Sequence, residues 1–559
     1  MHYGPPMFFV KFVLSAFLLI ASQTAVAEPL GNPSAGLRHL IFKFGGLFLL
    51  DYDRSEHLIN QTDGGDSIVL DDYRNGFRLI QNETKALGID IAFNFAIPTN
   101  VPVGLDLLAG TNVSFDRFAP TRDAASKMQK PRLPSRAPDL TDWSEGDNVL
   151  FLARGGVGFS VGADWNHVAG PAAYFFAEGD WYVYIEKYSP NHAYVKVTNS
   201  QILSLGVVGN SVVAGLGIEA FKEADQGFSF RYDLNDPTAA KAYEDAIRGN
   251  FEPSEKFADA GTFVSRAATN QTAWLGLVRY WYFGVPFLAS INGNTGQIHS
   301  RTSVLNHENG NRSTIYSGLY VDHLRTGGWL SKHAMSINNF IGSRYIEKGP
   351  NGQISSGYLG QYLWAWESSK GSYRKIHKHL AALVAKTGLE SLLSINIPEE
   401  NKLGYLNMQF QANLPQETVD LLMEWATGFQ ETGADLLMQS SQKGIETYFS
   451  AGQDSLGICE ASVQDIGECK ARMVRETRRA TRKLMLQLKA MAVTKNTDFP
   501  AFVRHFGEFG KQMATNRFTF SQILELTQKA PLEMTFSMGG ERISILRKVI
   551  TRSQNQLLQ

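Results

Sequence analysis

Cysteine is nearly missing from this chain: 559 residues carry two, Cys459 and Cys469. Two thiols cannot build a four-cysteine metal site, and their spacing is not the C-x-x-C of a zinc or redox motif. Charge is sparse as well. Asp, Glu, Lys and Arg make up 19% of the chain and the formal net charge is −1, against roughly 25% charged in an average soluble protein. A field that weak steers the whole molecule towards neither nucleic acid nor an acidic polymer, so nucleic acid is excluded as a partner.

Familiar catalytic signatures are absent too. No G-x-S-x-G, H-E-x-x-H or EF-hand loop occurs. The glycine-rich "ARGGVGFSVGADW" (153–165) lacks the Gly-Lys-Ser/Thr ending of a phosphate loop, and strand-like residues follow where a helix should start. His377 and His379 stand two apart, roughly 200° around a helix, so they cannot share a metal from one face. Adjacent acids such as Asp71-Asp72 and Glu399-Glu400 point opposite ways on a strand, which suits acid/base chemistry poorly. The sequence therefore assigns no catalytic, cofactor-binding or metal residue, and the chain reads as non-enzymatic.

Beyond the first 27 residues, no apolar run approaches the roughly 20 residues of a transmembrane helix. Those first residues have the order of a secretory signal peptide. Lys11 precedes "FVLSAFLLIA", and Ala25-Val26-Ala27 supplies the small-residue cleavage pattern. The expectation is an exported protein, secreted or periplasmic, with the outer membrane as the alternative. In an oxidising compartment Cys459 and Cys469 form a disulfide, given a turn between them that Gly457 and Gly467 permit.

What is present is β-strand grammar, then helices. Residues 28–117 form a β-rich region and 118–148, with Pro120, Pro131, Pro134 and Pro138, a linker or long surface loop. A β-rich region over 149–260 and a second over 261–428 each end in a strand–helix unit. Residues 429–559 form a mainly helical module with a terminal hairpin around Gly539-Gly540. In the first unit Phe228, Phe230, Tyr232 and Leu234 alternate, Asp236 caps, Pro237 opens the helix and Gly249 stops it. In the second, Leu406 to Leu414 alternate, Pro415 opens a helix and Gly428 closes it. Hairpin turns are expected at "SPNH", Gly209-Asn210, Asn292–Gly296, Asn306–Arg312 and "KGPNGQ". The fold class is α+β: two antiparallel β-rich regions of curved sheet, sandwich or partial barrel, each followed by helices, plus the helical module.

One segment has a sharp chemical pattern. Read as a helix, 469–492 gathers Val474, Thr477, Thr481, Leu484, Leu488 and Ala492 on one side. Arg472, Arg475, Arg479, Arg482 and Lys483 fall on the other, with Glu476 as the offsetting acid. Such a helix could meet anionic headgroups or an acidic partner. Its threonines and its lack of aromatic anchors favour a bundle helix with a solvated basic face. The functional expectation is a cell-envelope binding or scaffold protein, holding an apolar, lipid-like ligand on a curved sheet. The alternatives are an envelope-polymer hydrolase and an outer-membrane β-barrel. Lipid, a membrane surface or another envelope protein are the partners this implies, with no cofactor.

Overall fold

In the computed structural model, fifteen strands form one antiparallel sheet in which hydrogen-bonded neighbours are always neighbours in sequence. The described residues run from Leu49 to Arg552. Residues 1–48, 447–465, 553–559 and several shorter connections lie outside them, and with these the signal-peptide segment, the "QTDGGDS" break and Cys459. The strands are β1 (Leu49–Asn60), β2 (Phe77–Asn94), β3 (Pro102–Ala119), β4 (Asn148–Gly162), β5 (Ala169–Ser189), β6 (His192–Ser211), β7 (Ala214–Asp233) and β8 (Val264–Val285). They continue as β9 (Ala289–Asn306), β10 (Arg312–Gly327), β11 (Ala334–Lys348), β12 (Ile354–Gly371), β13 (Gly404–Leu414), β14 (Leu532–Gly540) and β15 (Leu546–Arg552).

Eight α-helices are described among these residues: α1 (Arg122–Lys127), α2 (Pro237–Ile247), α3 (Glu252–Asp259), α4 (Tyr373–Thr387), α5 (Gln416–Thr427), α6 (Ile466–Thr494), α7 (Phe499–Thr515) and α8 (Thr519–Leu526). The class is α+β. The two β-rich regions are continuous, because β8, which opens the second, pairs along its length with β7 of the first.

Both strand–helix units form where the punctuation sets them. The Asp236 carboxylate accepts from the Thr238 and Ala239 amides at the head of α2, and Gly249 follows at φ +91°, a value that only glycine adopts cheaply. Pro415 caps α5 and Gly428 ends it. Tyr232 of β7 meets Tyr243 of α2 edge-on at 5.7 Å, and β13 buries Leu406, Met408 and Phe410 in the core that also takes Val419 and Leu422 of α5. The repeat is architecture: in each unit a strand delivers the helix that packs back on its own apolar face.

Turns at "SPNH", 307–311 and "KGPNGQ" fall between strands as expected. Two others do not. Gly209 and Asn210 lie inside β6, paired with Leu216 and Gly215 of β7. Asn292–Gly296 lies inside β9 and is bonded on both sides. Its glycines serve close approach: a Cβ on Gly293 would meet the Trp281 ring at 2.8 Å, and one on Gly296 would meet the Val278 Cα at 2.8 Å.

Two cores sit on one face of this sheet. The larger lies between β10–β14 and the layer α4–α8. Gly318, Gly342 and Gly360 pair across β10, β11 and β12, and this side-chain-free row admits α7 to backbone contact: a Cβ on Gly318 would run into the Val503 carbonyl, one on Gly342 into the Phe506 ring. Arg344, buried under the N-terminal turns of α7, lies 4.0 Å from the Phe499 ring centroid. Lys386 donates to the Ala514 carbonyl at 2.8 Å at the other end of α7.

The second core joins α2, α3 and the 128–147 loop to the ends of β5–β7. The Pro-rich stretch is thus a packed surface loop. Leu140 and Trp143 are buried, Tyr243 donates to the Pro134 carbonyl at 2.6 Å, and buried Lys187 donates to the carbonyls of Leu140 (2.9 Å) and Trp143 (2.7 Å). Arg122, just after β3, pairs with Glu541, just after β14, so the sheet curls until its early and late strands meet.

Candidate functional site

The region of β4–β8 that no described helix covers has an exposed apolar face. Along β7, Leu216 and Ile218 are exposed while Gly217, Glu219, Phe221, Glu223 and Asp225 alternate with them and are buried. Leu216 is 68% exposed and Asp225 1%. Register carries the pattern sideways, since residues paired across antiparallel strands share a face. Ile218 pairs with Val207 of β6, Leu216 with Trp281 of β8, and Ala220 with Leu277 and Leu205. Leu205, Val207, Leu275, Leu277, Trp281 and Phe283 are all exposed, as is Val157 of β4.

On the reverse face, Ser200 pairs with Asp180 and Asp225, and Ile202 with Glu178 and Glu223. All four carboxylates and Glu219 are buried. Ser200 donates to Glu223 at 2.7 Å, Tyr182 to Asp180 at 3.0 Å, and the Thr272 and Thr302 hydroxyls share a hydrogen bond of 2.9 Å. Side chains crowded to near-zero exposure on one face and splayed open on the other mean that these strands bend towards the charged side. That face is concave and enclosed, and beside its acids it holds an apolar cluster that includes Ile202, Phe221, Trp274, Val278 and Ile298. The apolar face is convex.

The open band has clear limits. It runs from the Ala214–Phe283 pair to the Lys222–Leu275 pair, about nine residues on each strand, which matches the 9–11 of a tilted strand crossing hydrocarbon. Beyond it on the same face stand α2, α3 and their loop, and to the side the layer α4–α8 covers β10–β14. Lys222, at one limit of the band, and Arg279, opposite Ile218 at its middle, are the cations within it, and both are exposed.

The basic segment forms α6 as the periodicity indicates. Thr477, Thr481, Leu484 and Leu488 are buried, with Met473, Met485 and Met491 joining them, and Val474 and Ala492 half-buried. Arg472, Arg475, Arg479, Arg482 and Lys483 are exposed. They share one helix face and lie apart from the open band, over the helical layer. Cys469 is buried near the start of α6 and disulfide-bonded. His377 and His379 do part company: the first sits 4.2 Å from the Tyr373 ring, the second stacks on Trp366 at 4.2 Å. No group of three or more His, Cys, Asp and Glu that could hold a metal occurs among the described residues, and no described helix is long and apolar enough to cross a membrane.

The sequence reading missed the inverted wall, although its signal is visible. In "AGLGIEAFKEAD" (214–225) Leu216, Ile218 and Ala220 alternate with Gly217, Glu219 and Phe221. The stronger alternation lies further along the same strand, where Phe228, Phe230 and Tyr232 meet helices.

No protein-family model and no curated protein matches the chain. Among solved structures, the crystal structure of the ferric citrate transporter FecA in the unliganded form aligns with 65% of this chain and 59% of its own, at 6% identity and a TM-score of 0.19. The chain spans less than two thirds of that structure's length, and a score this low fixes neither fold nor function.

Proposed function

We propose that this is an exported envelope protein, seated in the outer membrane by the β4–β8 wall, with acyl chains against the convex apolar face and the acidic face turned to an enclosed interior. The observation that carries this reading is the exposed apolar face of β6–β8, backed on β7 by the buried Glu219, Glu223 and Asp225. A water-soluble antiparallel sheet turns its apolar residues in and its charges out; a membrane strand alternates the other way. Moving an exposed Leu or Phe out of water is worth about 1.5–3 kcal/mol. Summed over the five most exposed wall residues this is on the order of 10 kcal/mol, as large as the whole stability of a typical domain.

The curvature argues against a carrier that cradles one apolar ligand on this face. Small-ligand sites are concave and bury most of the ligand, whereas this surface is convex and spread over several strands. The test is extraction of the full-length protein from its own envelope fraction. It is expected to stay with the membrane through an alkaline carbonate wash and to leave with detergent. Release by carbonate alone would overturn the reading.

A further inference from the structure

We infer that the outer side of the helical layer is a second membrane contact, one that lies against anionic lipid headgroups. Read alone, α6 lacks the aromatic anchor of an interfacial helix, but the fold supplies one from a neighbour. Asp420 of α5 pairs with Lys495, one residue past the end of α6, at 3.0 Å, and both helices bury their inner faces in the same core. Trp425 of α5 is 52% exposed. On α6, Leu486 is 62% and Val493 76% exposed. Leu486 stands seven residues after Arg479 and three after Lys483, so it continues the stripe that the cations begin.

The layer thus presents an indole, two aliphatic groups and, on α6, Arg478 besides the five cations already named, with Glu476 on α6 and Glu417 and Glu424 on α5 among the exposed acids. This is the composition that settles at a headgroup boundary: apolar groups dip below the phosphates, and Lys and Arg reach them from stems lying along the surface. The surface is unlike the bare wall of β4–β8, where apolar groups dominate and match acyl chains. It also lies on the same face of the sheet as that wall, because α7, which α6 packs against, covers the face that carries Leu205 and Leu277 further along. The inference rests on the membrane reading for that common side, yet its chemistry is separable: the wall needs hydrocarbon, the layer needs negative charge.

The experiment compares full-length protein reconstituted in phosphatidylcholine vesicles with the same protein in vesicles containing phosphatidylglycerol, reading the lipids retained by native mass spectrometry after gentle detergent release. Each Lys or Arg near an anionic surface adds attraction, so the wild type is expected to keep phosphatidylglycerol over phosphatidylcholine by about tenfold. High salt and the combined variant Arg472→Gln, Arg475→Gln, Arg479→Gln, Arg482→Gln, Lys483→Gln should each bring that ratio close to one. These side chains are exposed, so an unchanged melting profile checks that the variant is folded. Carbonate resistance should not change in the variant, which separates this contact from the wall. A ratio near one in the wild type, or a tenfold preference that survives the five substitutions, would overturn the inference.

Discussion

At the scale of single residues, the half-buried His379 and the buried Lys187 have consequences that can be measured. His379 lies flat on Trp366 and beside Lys375 and Lys378; burial first, then the two cations, lower its pKa to about 4. The neutral ring is the form the fold accepts, so its contribution is complete above the unfolded value of 6.5 and disappears as pH falls from there towards 4. The shift corresponds to about 3 kcal/mol. Urea unfolding in detergent between pH 7 and pH 4 should show this loss, and His379→Phe, which keeps the stacking, should flatten that segment of the curve. A variant whose pH dependence matches the wild type would remove His379 as the cause.

Lys187 is the second case. Its ammonium satisfies the carbonyls of Leu140 and Trp143 where water does not reach. Lys187→Met keeps the volume and leaves both acceptors unpaired, for a cost of about 3 kcal/mol. Hydrogen exchange should become faster through 128–147 while the β10–β14 core stays protected.

At the scale of elements, α7 depends on the glycine row beneath it. Gly342→Val places two methyl groups where the Phe506 ring lies, and overpacking of this kind costs about 1–3 kcal/mol. The expected readout is faster hydrogen exchange through α7 and a lower melting midpoint for the helical layer, with β4–β8 unchanged. Unaltered exchange in α7 would show that the glycine row does not hold it.

This scale also shows what the sequence discloses. Caps and stops at Asp236, Pro237, Pro415 and Gly428 are local chemistry, and they are legible because a few adjacent residues settle them. The amphipathic α6 is legible for the same reason. The Asn292–Gly296 segment misleads because glycine beside asparagine is also what a crowded strand needs where Trp281 leans across it. Wall polarity is hidden for another reason. Alternation along β7 says that its two faces differ, but only pairing with β6 and β8 says which face is enclosed. Trp425 is legible only as a core-forming aromatic until α5 is seen beside α6.

At the scale of the whole molecule, the proposed membrane seating assigns the wall to acyl chains and the layer to headgroups. Leu216→Arg with Leu277→Arg puts two charges on the hydrocarbon face, each worth up to about 2–4 kcal/mol at mid-bilayer depth. The double variant should appear in the carbonate-soluble fraction or be degraded, whereas Gln409→Arg, on an exposed polar position of β13, should leave membrane retention as it was. Equal retention of all three proteins would mean that the wall does not face lipid.

The strictly sequential pairing of β1 to β15 bears on how such a molecule is assembled. Thirteen of the fourteen ladders join strands separated by modest connections, so hairpins can be added one after another in the order in which the chain arrives. The exception is β13 with β14, where everything between Leu414 and Leu532, helices α5 to α8 included, intervenes. Closing so long an excursion is entropically slow unless the excursion has already become compact. Condensing the helical layer on β10–β13 first shortens that closure, so β14–β15 is expected to dock last. A chain stalled at this step would carry a finished wall and an unlatched edge at β13, the strand whose free side would then invite pairing with another chain.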